Sequence, residues 1–258
     1  MRLKYFFLLF SFAGFLFSNL GCQNSPRSVA EVIDGDTLIL AGGRHLRLIG
    51  IDTPEVRRKI KGEFVYDPQP YALAATEFVR RQLKKGKVRL EFDIQKQDQF
   101  GRLLGYCFID TGVGGIMLNS EILKAGLGVV YVRFPNVKYL SRLVAAEEEA
   151  RRSQCGLWSQ PEITPQAAKD FVGQIRTVKG KVYAVYEGRR VILLHLASSE
   201  ADFHITIFKD SLALFSRRHI DPSRFYLHKT VIVTGRIRKY KGAIEIIVGC
   251  PEQIRLSG

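Results

Sequence analysis

A short segment near the start of the chain concentrates side chains that can do chemistry. Between Val32 and Glu55, a D-G-D-T turn carries Asp36 and a D-T-P-E turn carries Asp52 and Glu55, each after an alternating apolar stretch. Carboxylate oxygens are the ligands of a hard cation such as Ca²⁺. A further carboxylate can take a proton from an attacking water. The segment therefore predicts metal-assisted attack by water on an electrophile.

Two arginines specify which electrophile fits. Arg47 lies between the two carboxylate turns, and Arg102 ends the later stretch D-Q-F-G-R. A phosphodiester repels nucleophiles because its oxygens are anionic, and a planar guanidinium can hold two of those oxygens at once. Taken singly these signals are weak, since D-G-D-T is a common turn. Their combination and order favour attack on a phosphodiester.

The same motifs resemble those of the staphylococcal nuclease family. The resemblance runs from about Val29 to Trp158 and includes later stretches that carry no charge pattern of their own. Members of that family share an OB barrel with three helices and cut DNA and RNA with Ca²⁺, leaving 3′-phosphates. The stretches that carry the resemblance read I-D-G-D-T, R-L-I-G-I-D-T-P-E, D-Q-F-G-R-L-L-G-Y, L-K-A-G-L-G-V-V-Y and G-L-W-S.

The resemblance assigns a role to each charged position. It implies that Arg47 and Arg102 hold the phosphate and that Glu55 is the general base. It also implies that Ca²⁺ is bound by Asp36, Asp52 and the backbone carbonyl of Thr53.

Three residues depart from the family pattern around the substrate. The family often has Lys-Tyr before the Gly-Arg pair, and this chain has Gln99 and Phe100. Of two tyrosines that line the family's nucleotide pocket, Tyr131 matches the first and Arg133 replaces the second. We expect Tyr131 and Arg133 to bind substrate, with altered base stacking and stronger phosphate contact.

Alternating and helical apolar patterns predict the elements that position these residues. The fold class we expect is mainly β with helices (α+β), as an OB-type five-stranded barrel with three helices over residues 29–160. Gly, Asp and Lys-Lys-Gly punctuation supports the boundaries. The predicted strands are Ala30–Ile33, Leu38–Leu40, Leu46–Ile51, Val88–Phe92 and Leu103–Ile109, and the predicted helices are Tyr71–Lys85, Ile116–Ala125 and Tyr139–Ser153.

A second domain is predicted after a proline-containing linker at residues 161–170. Residues 171–258 contain five strand candidates, with a short helix at Ser211–Arg218 between the third and the fourth, which is the element order of an OB fold. Another small β-barrel is the alternative. The strand candidates are Gln174–Tyr186, Arg190–Ala197, Phe203–Phe208, Thr230–Lys239 and Ala243–Val248.

Charge favours a polyanionic partner. The whole chain has a formal net charge of +14, and residues 171–258 hold 15 Lys and Arg against seven Asp and Glu. OB surfaces bind single strands with cations along the backbone and aromatic rings against the bases. A solvated barrel face is the alternative. The interleaved residues of this pattern are Tyr183, Tyr186, Arg189, Arg190, Arg236, Arg238, Tyr240 and Lys241.

The N-terminus is predicted to be a targeting segment. Residues 1–22 have a basic start and an apolar run from Tyr5 to Phe17, too short to span a bilayer. The ending S-N-L-G-C predicts lipidation of Cys22, with an ordinary secretory signal as the alternative. Residues 23–28 then form a tether, and the protein is exported, either anchored to the envelope membrane or secreted. Pairing of the other cysteines (107, 155 and 250) stays open.

Two functions remain in competition at this level. The first is an exported, Ca²⁺-dependent endonuclease acting on DNA and/or RNA, with a basic OB domain that helps to hold substrate. The second is a non-catalytic nucleic-acid-binding envelope lipoprotein. Retention of both arginines and all three carboxylates favours the first.

Overall fold

The computed structural model describes residues 28–112, 115–196 and 203–257. The predicted signal segment, residues 1–22 with Cys22, lies outside the described residues, as does the tether up to residue 27. No helix within the described ranges is long and apolar enough to cross a membrane.

The first domain is a sheet with helices packed against it. Its helices are α1 (Ala72–Leu83), α2 (Leu118–Lys124) and α3 (Leu140–Arg152). Its strands are β1 (Val29–Val32), β2 (Thr37–Leu40), β3 (His45–Leu48), β4 (Gly50–Asp52), β5 (Arg57–Ile60), β6 (Glu63–Tyr66), β7 (Lys87–Gln97), β8 (Leu103–Asp110), β9 (Gly115–Met117) and β10 (Val129–Tyr131).

Strand pairing in this domain brings distant motifs together. The sheet order is β1-β2-β3-β8-β7, with β9 also paired to β8, and β3 runs parallel to β8. That parallel register sets Arg47 opposite Leu104, so the turn that carries Arg102 lies beside β3. A separate antiparallel pair, β4 with β10, sets Asp52 opposite Val129.

Predicted and observed elements of the first domain agree in type. All three helices occur, each one to two residues shorter at its ends than predicted, and the mixed, mainly β fold class is confirmed. In addition to the predicted elements, residues 57–66 form the hairpin β5–β6, and Arg58 of this hairpin pairs with Asp67. Cys107 is fully buried, as expected of a core residue.

The second domain is also built mainly from strands. One sheet has the order β12-β13-β14-β17-β16 and a second has β11-β15-β18. The strands are β11 (Ile175–Lys181), β12 (Ala184–Glu187), β13 (Val191–His195), β14 (Phe203–Phe208), β15 (Thr230–Arg236), β16 (Arg238–Tyr240), β17 (Ala243–Val248) and β18 (Ile254–Leu256), and the helices are α4 (Leu212–Ser216) and α5 (Pro222–Phe225).

Two predicted strands of this domain are interrupted. The candidate Gln174–Tyr186 divides into β11 and β12, and Thr230–Lys239 divides at Ile237, which is fully buried between β15 and β16. The predicted linker is packed rather than extended: Ala168 is buried in the second core, and Ile163 pairs with Val178. An apolar run alone does not show where a strand bends, because both halves remain apolar.

The two domains share a buried contact centred on β10. Val129, Leu157 and Ile175 form one apolar cluster across the boundary. The side-chain amide of Gln253 donates to the carbonyl of Val130 (3.1 Å). Leu214 and Cys250 from the second domain lie within the core of the first. The second domain therefore packs against the β4–β10 pair through β10.

Candidate active site

The carboxylate turns, β3 and the β7–β8 turn open onto one cleft with a volume of about 350 Å³. The β7–β8 turn is distant in the chain from the carboxylate turns and β3, and the parallel β3–β8 register brings it to them. The charged and aromatic residues that line the cleft are Arg47, Asp52, Glu55, Asp98, Phe100, Arg102, Tyr131, Arg133 and Arg238.

The first carboxylate turn is fastened to the second. Asp34 Oδ1 accepts from the backbone N–H of Asp36 (3.0 Å), which shapes the turn. Asp36 Oδ2 then accepts from the backbone N–H (2.8 Å) and the hydroxyl (3.0 Å) of Thr53. Gly35 permits this approach, since a Cβ there would lie only 2.7 Å from Thr53 Oγ1 and 2.8 Å from the Ala75 Cβ. The glycine of D-G-D-T is thus required by packing.

Arg47 bridges the two turns. Its guanidinium forms an ion pair with Asp36 Oδ1 and donates to Asp52 Oδ1 (2.9 Å). The Arg47 side chain is 14% exposed and lines the cleft. A phosphate that entered the cleft would therefore meet a guanidinium already held between carboxylates.

Arg236 meets the same group of carboxylates from the second domain. Its Nε donates to Asp52 Oδ2 (2.9 Å) and its Nη2 donates to the carbonyl of Thr53 (2.7 Å). Nη2 also lies 3.5 Å from Glu55 Oε1. Because Arg236 is nearly buried and, unlike Arg47, does not line the cleft, the expectation that it contacts a nucleic-acid backbone is wrong. It belongs to the interior of the site.

Gln69 connects Glu55 to the second domain. Its side-chain Oε1 accepts from the backbone N–H of Glu55 (3.0 Å) and from Arg236 Nη1 (3.2 Å), and its Nε2 donates to the carbonyl of Gly173 (2.8 Å). The same Gly173 carbonyl accepts from Arg236 Nη1 (2.8 Å). The backbone at Glu55 is therefore held by a contact that both domains support.

Glu55 has the ionisation behaviour of a general base. Its side chain is 39% exposed at the edge of the cleft. Burial, together with the neighbouring Asp34 and Asp52, raises its pKa to about 7 against the opposing effect of Arg236 and Arg47. A carboxylate with a pKa near 7 can accept a proton at neutral pH and is a stronger base than an ordinary glutamate.

The neighbouring carboxylates respond in opposite directions. Burial disfavours the charged form of Asp52, but Arg236 and Arg47 outweigh it and lower the pKa of this carboxyl below its ordinary value. Burial raises the pKa of Asp34 against the opposing effect of Arg47. Asp52 thus stays ionised while Glu55 can exchange a proton.

Arg102 lies on the opposite, more open side of the cleft. It is 33% exposed, and its Nε donates to Asp98 Oδ2 (2.7 Å). Asp98 Oδ1 accepts from the backbone N–H groups of Phe100 (2.9 Å) and Arg102 (3.0 Å), which forms the turn. The D-Q-F-G-R motif therefore forms a turn that holds the Arg102 guanidinium at the cleft.

Tyr131 and Arg133 also line the cleft. Tyr131 ends β10 opposite Gly50, and the Arg238 guanidinium lies 5.6 Å from the centroid of its ring. Arg133 is exposed at the cleft rim. The second domain thus contributes a cation beside the expected stacking ring.

Known proteins share this arrangement of motifs. The family model of the staphylococcal nuclease homologues matches residues 45–160. A thermonuclease of Staphylococcus hyicus is 36% identical over 149 residues, which is 55% of this chain and 83% of that protein. A thermonuclease of Staphylococcus intermedius is 36% identical over 135 residues, 51% of this chain and 75% of that protein. Endonuclease YncB of Bacillus subtilis is 34% identical over 135 residues, 50% and 60% respectively.

The chain belongs to the staphylococcal nuclease family. As a member it is a nuclease, a hydrolase that acts on phosphodiester bonds. The family match ends at residue 160, so the second domain, with Arg236 and Arg238, is an addition to the matched nuclease region.

The predicted site residues of this nuclease converge, except Cys22, which is outside the described residues. Their individual roles stay predictions. Sequence reasoning missed Gln69 and misplaced Arg236, which is 184 residues from Asp52. No local pattern marks either residue, since a Gln in a loop and an Arg ending a strand are both ordinary. Only the packing of the two domains brings them to the site.

The predicted Ca²⁺ ligands of the nuclease are together, but their oxygens are occupied by arginine. Arg47 holds Asp36 Oδ1 and Asp52 Oδ1, while Arg236 holds Asp52 Oδ2 and the carbonyl of Thr53. Within the described ranges, no three His, Cys, Asp or Glu side chains are arranged to hold a metal ion. In this arrangement the donor set does not fit Ca²⁺.

Proposed function

We propose that this protein is an endonuclease that hydrolyses internal phosphodiester bonds of DNA and/or RNA in the cleft between β3 and the β7–β8 turn. The observation that carries the proposal is the convergence of Glu55, Arg47 and Arg102 on one cleft from three separate segments. A binding module needs cations for the phosphates, but it has no use for a carboxylate whose pKa is raised to about 7.

Three side chains of the cleft account for the steps of the reaction: Glu55 for proton transfer, and Arg102 and Arg47 for charge stabilisation. Glu55 takes a proton from a water as the water oxygen bonds to phosphorus. The bond from phosphorus to the leaving oxygen breaks, and that oxygen takes a proton from solvent. Arg102 and Arg47 stabilise the negative charge that builds on the phosphate oxygens, which is the larger part of the barrier. The family resemblance implies a Ca²⁺ requirement, which does not agree with the arginine contacts of the predicted ligands, and hydrolysis in chelator and in CaCl₂ tests it.

Hydrolysis assays with the full chain test this proposal. We expect cleavage of single- or double-stranded DNA or RNA into fragments, and Glu55→Gln should lower kcat about 10²–10⁴-fold because it removes the proton acceptor. Glu63→Gln is the matched control, since Glu63 is exposed on β6, away from the cleft. Binding without hydrolysis by the wild type, with and without Ca²⁺, would favour the non-catalytic alternative.

We also propose that exposed tyrosines of the second domain assist nucleic-acid binding. Its tyrosines at positions 183, 186 and 240 are each about half exposed (48%, 57% and 59%), which suits stacking on bases. Replacing all three with Ser should weaken single-strand binding while leaving kcat at saturating substrate unchanged. An unchanged dissociation constant would remove this role.

Export and anchoring through Cys22 remain proposals that rest on residues 1–22. Expression of the full chain with Cys22→Ser in a bacterial host tests them. We expect the wild type to partition with membranes and the variant to be soluble outside the cytoplasm. Retention of both forms in the cytoplasm would contradict export.

A further inference from the structure

Arg236 uses its whole guanidinium on the site's own oxygens. A guanidinium has five N–H donors. Nε faces Asp52 Oδ2, the Nη2 pair faces the Thr53 carbonyl and Glu55 Oε1, and the Nη1 pair faces the residues of the domain boundary, Gln69 and Gly173. All three guanidinium nitrogens are thus directed at the site's own oxygens, and Arg236 does not line the cleft, so it acts on the carboxylates and not on the substrate.

The position that Arg236 takes is the one that a metal ion needs. Ca²⁺ binds oxygens at 2.3–2.6 Å. Arg236 Nη2 is 2.7 Å from the Thr53 carbonyl and Nε is 2.9 Å from Asp52 Oδ2, so an ion that contacted both oxygens would collide with the guanidinium.

The backbone holds Arg236 in place. The residue ends β15, the central strand of the β11-β15-β18 sheet, and pairs with Ile175 of β11. Ile237, the next residue, is fully buried, and its N–H donates to the carbonyl of Gln174 (2.9 Å). The backbone of Arg236 is therefore fixed within a sheet, and its guanidinium is held by its hydrogen bonds to Asp52, Thr53, Gln69 and Gly173.

We propose that Arg236 is a positioning residue through which the second domain supplies a built-in positive charge at the Asp52 and Thr53 oxygens, in place of a divalent cation. The inference rests on the proposed nuclease function. It gives the second domain a part in hydrolysis beyond affinity. It also predicts that the wild type cleaves DNA in the presence of a chelator, and that removing Arg236 creates a cation site.

Hydrolysis of single-stranded DNA in chelator and in CaCl₂ gives the first test. The wild type should differ less than about threefold between the two conditions, whereas Arg236→Ser should lose on the order of 10²–10³ in chelator, as for other single electrostatic contacts in active sites. CaCl₂ should restore much of that loss, and Arg236→Lys should retain chelator-resistant activity. Arg217→Ser is the matched control, because Arg217 is an exposed arginine of the same domain.

Binding of CaCl₂ alone gives a second readout that does not depend on activity. Removing Arg236 leaves Asp52 Oδ2, the Thr53 carbonyl and Glu55 without the cation that contacts them, so Arg236→Ser should bind Ca²⁺ in titration calorimetry and gain a Ca²⁺-dependent rise in melting temperature. The wild type and Arg217→Ser should show neither. If Arg236→Ser does not fold, Arg236→Gln, which is neutral but keeps a donor, is expected to behave in the same way.

Three results would overturn the inference. They are a wild type that hydrolyses only with Ca²⁺, equal Ca²⁺ affinity in the wild type and Arg236→Ser, and an Arg236→Ser variant more active than the wild type, which would make the contact inhibitory. Failure of the proposed function looks different: the wild type then cleaves nothing in either condition, while the calorimetric comparison still tests the cation site.

Discussion

Two sides of the site, called the open wall and the closed wall, use arginine differently. On the open wall, formed by Arg102 and the rim residues Tyr131 and Arg133, a guanidinium gives its Nε to Asp98 and remains one-third exposed. The closed wall lies behind the carboxylates, outside the lining of the cleft, and consists of Arg236, Gln69 and Gly173. Its guanidinium is 12% exposed and donates to oxygens of Asp52, Thr53, Gln69 and Gly173. The difference separates charge presented to a substrate from charge that fixes the catalytic carboxylates.

Removing the open-wall guanidinium tests that separation most strongly. Arg102→Ala should lower kcat about 10²–10³-fold, because charge developing on the phosphate loses a preorganised partner. Its chelator response should match that of the wild type, since the closed wall is untouched. Steady-state kinetics against Arg44→Ala, an exposed arginine of the β2–β3 turn, is the comparison. A change in metal dependence in Arg102→Ala would show that the two walls are not independent.

The pH dependence of kcat/KM gives a second comparison of the two walls. Since the ionised form of Glu55 is the active base and its pKa is about 7, kcat/KM should rise with pH and level off above about 7. It should fall about tenfold for each pH unit well below that value. Arg236 opposes the raised pKa, so Arg236→Ser should move the midpoint to higher pH, whereas Arg102→Ala should leave it in place. A midpoint near 4.5 in the wild type would contradict this role for Glu55.

The sequence predicted the open wall better than the closed one. Asp36, Asp52 and Glu55 lie within twenty residues of one another, in turns that the alternating apolar pattern places at strand ends, so their meeting is local. Arg102 was recognisable from its motif, although the parallel β3–β8 register that brings it to Arg47 leaves no mark in either strand. Arg236 lies in a basic and aromatic pattern that suits a nucleic-acid surface, and its burial depends on a domain boundary that hydropathy does not encode.

Stability offers a third comparison, because the closed wall depends on the domain contact. Gln253→Ala removes the donor to the Val130 carbonyl (3.1 Å) and the acceptor for the Gly249 N–H (2.8 Å). Buried groups left without partners should lower the free energy of unfolding by about 1–3 kcal/mol. Urea denaturation of this variant and of Gln166→Ala, an exposed glutamine, measures the effect. Equal midpoints would mean that the domains hold together without this contact.

The rim gives the smallest effect. Arg133→Tyr restores an aromatic ring and removes one exposed cation, so single-strand affinity should become less dependent on salt, with the slope of log K against log [salt] smaller by about 0.7. Fluorescence anisotropy over a salt series with Glu55→Gln as the background measures this without cleavage. An unchanged slope would show that Arg133 does not meet a phosphate.

The contact between Val130 and Gln253 spans 123 residues of the chain, and that between Asp52 and Arg236 spans 184. Contacts of such long sequence separation form slowly, because loop closure must precede them. During synthesis the first domain emerges first. A nascent chain that ends at residue 235 already contains all the matched nuclease motifs. It still lacks Arg236 and Gln253, which contact Asp52 and Val130 in the folded protein. The centre can therefore be assembled only after the second domain has been synthesised.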